Sequence, residues 1–409
     1  MAFLSDPVIF IANWIENLLL GWGLAPLIVT IIMDVMGASI ISVVMLLLVV
    51  ILIVLERKLI GRLQGRFGPN RVGPYGLLQT IPDMIKIFTK EYISPQGADI
   101  FIYNLAPIMA TSAVLLLWAV IPYAPRVVGS DINVGVLYLV AVGALGTLAI
   151  LLAGFSSNNK YALLGAFRTV AQMISYEVPM VLALLVPVIL ARSMGVNEIV
   201  NAQYVWYVIL APLATLILFI TAMAEVGRAP FDLLEAESEI VAGFHIEYSG
   251  LKFGFFYVAE FLHAFTISGV IVAMFFGGWR GPGAETYPIL GFIYFMIKTF
   301  LIYFGTIWVR GSLPRVRIDQ LLGFGWKILV PVALTLVIFT AVAEKIMFLM
   351  AATVIVRILV HLVINLLLVL ILIVIFRAQE ARRPLRKPVA EPRPVALGRR
   401  SVPPESPSA

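Results

Sequence analysis

The sequence has no cysteine, which excludes disulfides, thiol redox chemistry and cysteine-ligated iron–sulfur clusters within the chain. Charge is also scarce. Only 13% of the 409 residues are Asp, Glu, Lys or Arg, against about 25% in a soluble domain, while 61% are hydrophobic and the mean hydropathy is +1.01. No glycine-rich dinucleotide fingerprint follows a strand pattern. The first 27 residues hold no Lys or Arg, so the basic start of a secretory signal peptide is missing. What is present in abundance is apolar sequence. The composition is that of an all-α, polytopic membrane protein.

A helix needs about 20 residues to cross roughly 30 Å of hydrocarbon. Nine apolar runs meet that length, approximately Leu27 to Leu55, Phe101 to Pro122, Val134 to Phe155, Ala166 to Ala191, Tyr204 to Ala224, Phe253 to Phe276, Thr286 to Val309, Gly323 to Val342 and Ala351 to Phe376. Pro7 to Leu20 is too short to span and reads as an interfacial extension of the first helix. Positive charge collects on one side of this arrangement. With the N-terminus outside, only Arg126, Arg192, Arg280 and Lys345 lie outside, and the inner segments hold nearly all other Lys and Arg. Eight of these lie between Arg377 and Arg400, in a Pro-rich stretch that reads as a solvated basic tail rather than a nucleic-acid site.

Two inner segments carry chemistry. From Ala224 to Tyr248 the chain reads AEVGRAPFDLLEAESEIVAGFHIEY, with Glu225, Asp232, Glu235, Glu237, Glu239 and Glu247 between apolar runs. Acids at that position serve a proton path or a polar ligand. Asp232, Glu235 and Glu239 are spaced i, i+3, i+7, so a helix would place them on one face, where repulsion favours protonation. Arg228 in their midst could equally neutralise them in a purely structural ion-pair network. The other segment, Glu56 to Glu91, crowds glycine and proline between Gly65 and Gly76, which makes a fixed turn. Leu77, Leu78, Ile81, Met84, Ile85 and Phe88 then recur at helical spacing, predicting an amphipathic interfacial helix. A basic loop held by anionic lipid is the plainer reading.

Several of these motifs in this order, GPNRVGPYGLLQ, AQMISYE, AEVGRAPFDLLEAESE and RVRIDQLLGFGWKILVP, resemble the H-type membrane subunits of respiratory NADH:quinone oxidoreductase (complex I), the counterparts of the first mitochondrially encoded subunit. The resemblance runs from about Asn13 to Met347. It departs at Val226 and Gly227, where the family commonly has a polar residue followed by Asn, and at Pro82, Ala236 and His245. It implies a domain over 1–350 with an eight-helix core, an additional transmembrane helix over 351–376 and a disordered basic tail over 377–409. It also implies a bacterial plasma-membrane location with the tail cytoplasmic. The implied role is to form much of the quinone tunnel at the junction with the peripheral arm, coupling quinone reduction to proton translocation.

The partners that follow from the resemblance are the peripheral-arm subunits carrying the quinone-binding residues and the terminal iron–sulfur cluster, the adjacent small membrane subunits, and lipid. The quinone, ubiquinone or menaquinone, is the substrate. FMN and the clusters reside in partners, and this chain supplies no catalytic residue or metal ligand by itself. Matching positions assign Arg57, Arg66, Asp83, Arg228, Asp232, Glu235, Glu237, Arg315 and Arg317 to the quinone cavity, and Glu177, Glu225, Glu239 and Glu260 to proton coupling. Helix rise places Glu260 about 10 Å beyond Phe253 and Glu177 about 16 Å beyond Ala166, stepping towards the membrane centre. Lys298 and Arg168 are the candidate permanent counterions.

Three other readings compete. A related membrane hydrogenase or cofactor dehydrogenase shares the fold, and co-purified partners distinguish it. A stand-alone secondary transporter would show paired half-repeats with broken helices, which the sequence lacks. His263 and His361, on different spans, admit a haem, but His361 lies near the outer end of its span, four residues after Arg357.

Overall fold

The computed structural model describes residues 7–125, 127–233, 241–351 and 353–381. Among them the chain is helical, with no named strand and one isolated bridge between Ala124 and Val127. Two compact units are distinguished, Met1–Leu366 and Leu367–Ala409. The second contains the final turns of the last helix, which runs to Ala381; the tail expected over 377–409 is therefore helical at 377–381, since the apolar helix continues past the last span residue, and its remainder lies outside the described residues.

The first unit opens with α1 (Pro7–Gly21), a helix of its own and not a continuation of the first span, because the chain turns at Trp22 and Gly23 before Pro26 starts α2 (Pro26–Leu63). Proline at the first helical position loses no hydrogen bond and fixes φ for the helix. At 38 residues α2 extends about 57 Å, far more than the hydrocarbon requires. Its last turns therefore carry Glu56, Arg57, Lys58 and Arg62 past the apolar zone. A short 3₁₀ segment (Pro74–Gln79) and the amphipathic α3 (Thr80–Thr89) follow, with Leu77, Ile81, Ile85 and Phe88 exposed for an apolar environment.

Next come α4 (Ile100–Leu117), α5 (Gly135–Ser156) and α6 (Lys160–Ala191), the last started by the Asn159 side chain accepting from the Tyr161 N–H. After α7 (Val196–Ala202) the chain departs from expectation. The run Tyr204 to Ala224 is not one span but two helices, α8 (Tyr207–Leu210) and α9 (Pro212–Val226), broken at Ala211. Pro212 is the cause: it has no N–H to give and occupies the first position of a new helix. The 15 residues of α9 are too few to cross a bilayer unaided. Hydropathy records only that the run is apolar and passes over the break.

A 3₁₀ turn (Gly243–His245) leads to α10 (Gly250–Phe275), then α11 (Pro288–Ser312), α12 (Ile318–Phe324) continued through a π turn at Gly325–Leu329 into α13 (Val330–Leu349), and α14 (Val354–Ala381). Among the described residues, eight helices, α12 and α13 counting as one, are long and apolar enough to span. The all-α polytopic expectation therefore holds, with the fifth run as its exception. The central helix is α10, buried along most of its length and packed on α4, α9 and α11.

Backbone groups freed by the break at Ala211 need partners, because hydrocarbon offers none. Asn365 on α14 supplies them: its amide oxygen accepts from Leu213 N–H at 3.3 Å and its Nδ2 donates to the Leu210 carbonyl at 3.1 Å. Within the first unit, the start of the final helix thus supplies the polar partner that the interrupted one needs.

Candidate quinone and proton site

At its basic end α2 meets the Gly/Pro collar. Gly61 and Gly68 face each other so closely that a Cβ on Gly61 would stand 2.9 Å from the Gly68 nitrogen. Gly76 is more constrained still. It has φ +73°, and a Cβ there would fall 2.2 Å from the Pro69 carbonyl oxygen, so only glycine fits. The fixed loop presents Arg66, Phe67, Gly68 and Pro69 to an opening of about 990 Å³ that Arg57, Tyr257 and Arg310 also line. Arg57 pairs with Asp83 of α3, tying the amphipathic helix to α2, and Arg66 donates to Gln64 at 2.8 Å.

Beneath this mouth lies a buried ion cluster. Glu56 is 3% exposed, yet its carboxylate accepts from Arg228 at 2.6 Å, from the Tyr303 hydroxyl at 3.0 Å and from Arg310. Arg228 also lies 3.6 Å from Glu260, with its guanidinium 4.8 Å from the Phe261 ring centre. Two arginines and two glutamates balance in charge, and α2, α10, α11 and the loop after α9 are joined through them. A buried carboxylate survives only with such compensation. Gly227 in the left-handed region (φ 70°) ends α9 and turns Arg228 inward. Asn tolerates that region too, so the departure from the family at this position preserves the turn.

A narrow cleft adjoins the mouth and shares Tyr257 and Arg310 with it as lining residues. Its walls are aromatic and aliphatic, including Phe244, Phe253, Phe256 and Val114, while Glu225, Asp232, Glu260 and His263 point polar groups into it. His245, in the turn before α10, also lines it; burial pushes its imidazole down to about 4, so it stays neutral at physiological pH. Glu225 is 4% exposed and lies 3.8 Å from His263. Glu177 accepts from Thr147 at 2.9 Å and is close enough to interact electrostatically with Glu225. Gln172, fully buried, fixes the end of α9 by donating to the carbonyls of Ala224 at 2.7 Å and Phe231 at 2.9 Å.

An apolar cleft with a few convergent polar groups, opening at an interfacial loop, accommodates an amphiphile with a polar head. Comparison with known proteins fits that geometry. Residues 36–341 match the NADH dehydrogenase family. The H subunit of NADH-quinone oxidoreductase from Dehalococcoides mccartyi (strain CBDB1) is 51% identical over 289 residues, 71% of this chain and 80% of the relative. Its namesake from Geobacillus thermodenitrificans (strain NG80-2) is 46% identical over 312 residues, 76% and 94% of the two chains. The chain belongs to the H-subunit family of NADH-quinone oxidoreductases.

The positions this family suggested are distributed unevenly. Arg57 and Arg66 line the mouth, Asp232 lines the cleft, and Arg228 is held in the ion cluster beside it. Asp83 is not among the lining residues of either cavity and is ion-paired with Arg57. Arg315 and Arg317 are exposed on the segment entering α12, which is tied to the loop after Arg228 by the Val316 N–H donating to the Pro230 carbonyl at 3.0 Å. Glu225 and Glu260 line the cleft, whereas Glu177 is not among its lining residues and is linked to it through Glu225. Glu235, Glu237 and Glu239 lie outside the described residues. Glu247 is removed from the cleft's polar groups and accepts from Asn159 at 2.6 Å.

Lys298, a candidate counterion for the carboxylates, is committed elsewhere. Its ammonium donates to the carbonyls of Phe276, Gly278 and Arg280 at 2.8–3.0 Å, holding the loop that follows α10. The two histidines weighed as a haem pair sit in different clusters, since His361 lies 3.5 Å from Glu344, beside Arg192 and Arg357. Glu56, Tyr303, Arg310, Gln172 and His263 escaped prediction as site residues. The only sequence signal for Glu56 was its place at the start of the inner segment Glu56 to Glu91.

Proposed function

We propose that this chain is the membrane subunit of a proton-translocating NADH:quinone oxidoreductase, with a quinone entering at the collar and its head group moving inward along the cleft. The observation that carries this reading is that the two cavities are neighbours sharing Tyr257 and Arg310 in their walls. Movement of these two side chains gives an amphiphile a route from the interfacial loop to Glu260, Asp232 and Glu225. Phe253, Phe256 and Tyr257 supply flat apolar walls for the ring and its tail, and the arginines and carboxylates supply the polar lining. Residues 1–350 form the family domain, and the additional helix and basic tail follow it.

Electrons come from partner subunits that carry FMN and iron–sulfur clusters, because this chain has no cysteine to ligate a cluster. The proposed setting is the bacterial plasma membrane with the collar on the cytoplasmic side, where the positive charge is concentrated. The neighbours there are the peripheral-arm quinone-site and terminal-cluster subunits and the small membrane subunits.

Protonation on quinone reduction changes the charge at the head of the cleft. Glu260, Glu225 and Glu177 then respond as a coupled set, because a carboxylate near mid-bilayer costs on the order of 2.5–3.5 kcal/mol when ionised and unhydrated. Uptake or release of a proton at one alters the cost at the next.

Arg66→Ala tests the entrance. It removes the cation at the collar without touching the buried ion cluster. NADH:quinone activity is expected to fall several-fold, while electron transfer from NADH to a hydrophilic acceptor is unchanged. Equal loss of both would mean that Arg66 serves assembly and not quinone access.

A further inference from the structure

We propose that His263 carries protons between the Glu260 end of the cleft and Glu225. The inference rests on the coupling role proposed above and assigns it a residue that role does not otherwise use. His263 follows Glu260 by three positions on α10, so the two side chains share a helix face, and both line the cleft. Its Nε2 is 3.8 Å from Glu225 Oε1, and the other Glu225 oxygen is buried with no hydrogen-bond partner among the described residues.

A gap separates the carboxylates that flank this histidine. Glu260 interacts with Arg228, Arg310, Glu56 and Asp232, the groups of the ion cluster and the cleft head. Glu225 interacts with Glu177 and His263. The histidine also feels Arg228. It is thus a titratable group that interacts with a member of each set, Arg228 on one side and Glu225 on the other. It stands with Glu225 in the wall between the cleft and a smaller apolar chamber lined by Leu139, Met180, Leu184 and Ile271.

Imidazole suits the position because it accepts a proton on one nitrogen and releases one from the other. A separation of 3.8 Å is too long for a direct hydrogen bond but is spanned by one water molecule or by a turn of the ring. The step conserves charge. A proton leaves the Glu225 carboxyl for His263, giving a carboxylate and an imidazolium, and the ring returns to neutral when it passes one proton towards Glu260; the reverse order serves uptake.

The alternative is that His263 only packs beside Glu225 as a polar neighbour that never changes its charge. His263→Asn separates the two, since an amide keeps a hydrogen-bonding group but does not titrate; His263→Gln, with a longer reach, is the second variant. Each is assembled in the complete complex and placed in proteoliposomes, with NADH oxidation by a hydrophilic acceptor reporting assembly. Quinone-linked turnover and proton pumping are expected to fall on the order of tenfold or more in both variants, with a solvent deuterium isotope effect larger than that of the wild type. Wild-type turnover and pumping in either assembled variant overturns the inference. Glu177→Gln in the same assay reads the underlying coupling role separately: its silence sinks that role, whereas its impairment beside a silent His263→Asn sinks only the histidine.

Discussion

Glu56→Ala is expected to leave little assembled complex. The substitution strips one carboxylate from contact with Arg228, Arg310 and the Tyr303 hydroxyl at once. Glu260, at 3.6 Å from Arg228, is left as the one carboxylate ion-paired to it among the described residues. Breaking a buried pair from one side costs about 3–5 kcal/mol, comparable to the whole stability of many domains. Because three segments meet at this carboxylate, the loss spreads to the mouth and, through Arg228, to the helix carrying Glu260. The check is the amount of this subunit in the purified complex and its NADH:quinone activity. Glu56→Gln keeps the shape but offers fewer acceptor sites than a carboxylate, so it should assemble at an intermediate level. Normal assembly of Glu56→Ala would mean that solvent or partner groups compensate both arginines.

Glu177→Gln should have the opposite signature, with assembly intact and coupling lost. The amide oxygen can still accept from Thr147, so the local geometry is kept. What disappears is an exchangeable proton next to Glu225. Positioned acid–base groups contribute on the order of 10²–10⁴ in rate, and a fall in quinone-linked turnover and pumping of at least tenfold is expected, with the clusters still reducible by NADH. Wild-type pumping at full occupancy of the mutant subunit would remove Glu177 from the path.

Much of this arrangement was legible from the chain alone, for identifiable reasons. Apolar runs report spans because a bilayer imposes length and leaves backbone groups no partner but their own helix. The collar was legible because Gly76 and its neighbours have few conformational substitutes. Glu177, Glu225 and Glu260 stood out because acids within apolar helices are rare.

The parts that escaped depend on tertiary pairing. Glu56 reads locally as the charged end of a span, and nothing in its neighbourhood announces Tyr303 and Arg310, which are 247 and 254 positions away. Lys298 was legible as a cation within a span but not as the donor to three loop carbonyls, because those carbonyls are exposed by a turn at Gly277 and Gly278 that hydropathy does not register. The break at Ala211 was written in Pro212, a helix-start residue inside an apolar run. Its repair by Asn365 lies more than 150 positions further on.

Occupation of the two neighbouring cavities by quinone is the claim on which the rest depends, and photolabelling reads it most directly. A photoreactive quinone analogue is illuminated in the complete complex and the attached peptides of this chain are mapped. Label is expected on the collar around Arg66–Pro69 and on the α10 stretch from Phe253 to His263, diminished by excess unlabelled quinone. Label confined to lipid-facing residues such as those of α14, or competable label found in partner subunits but nowhere along the cleft, would contradict it.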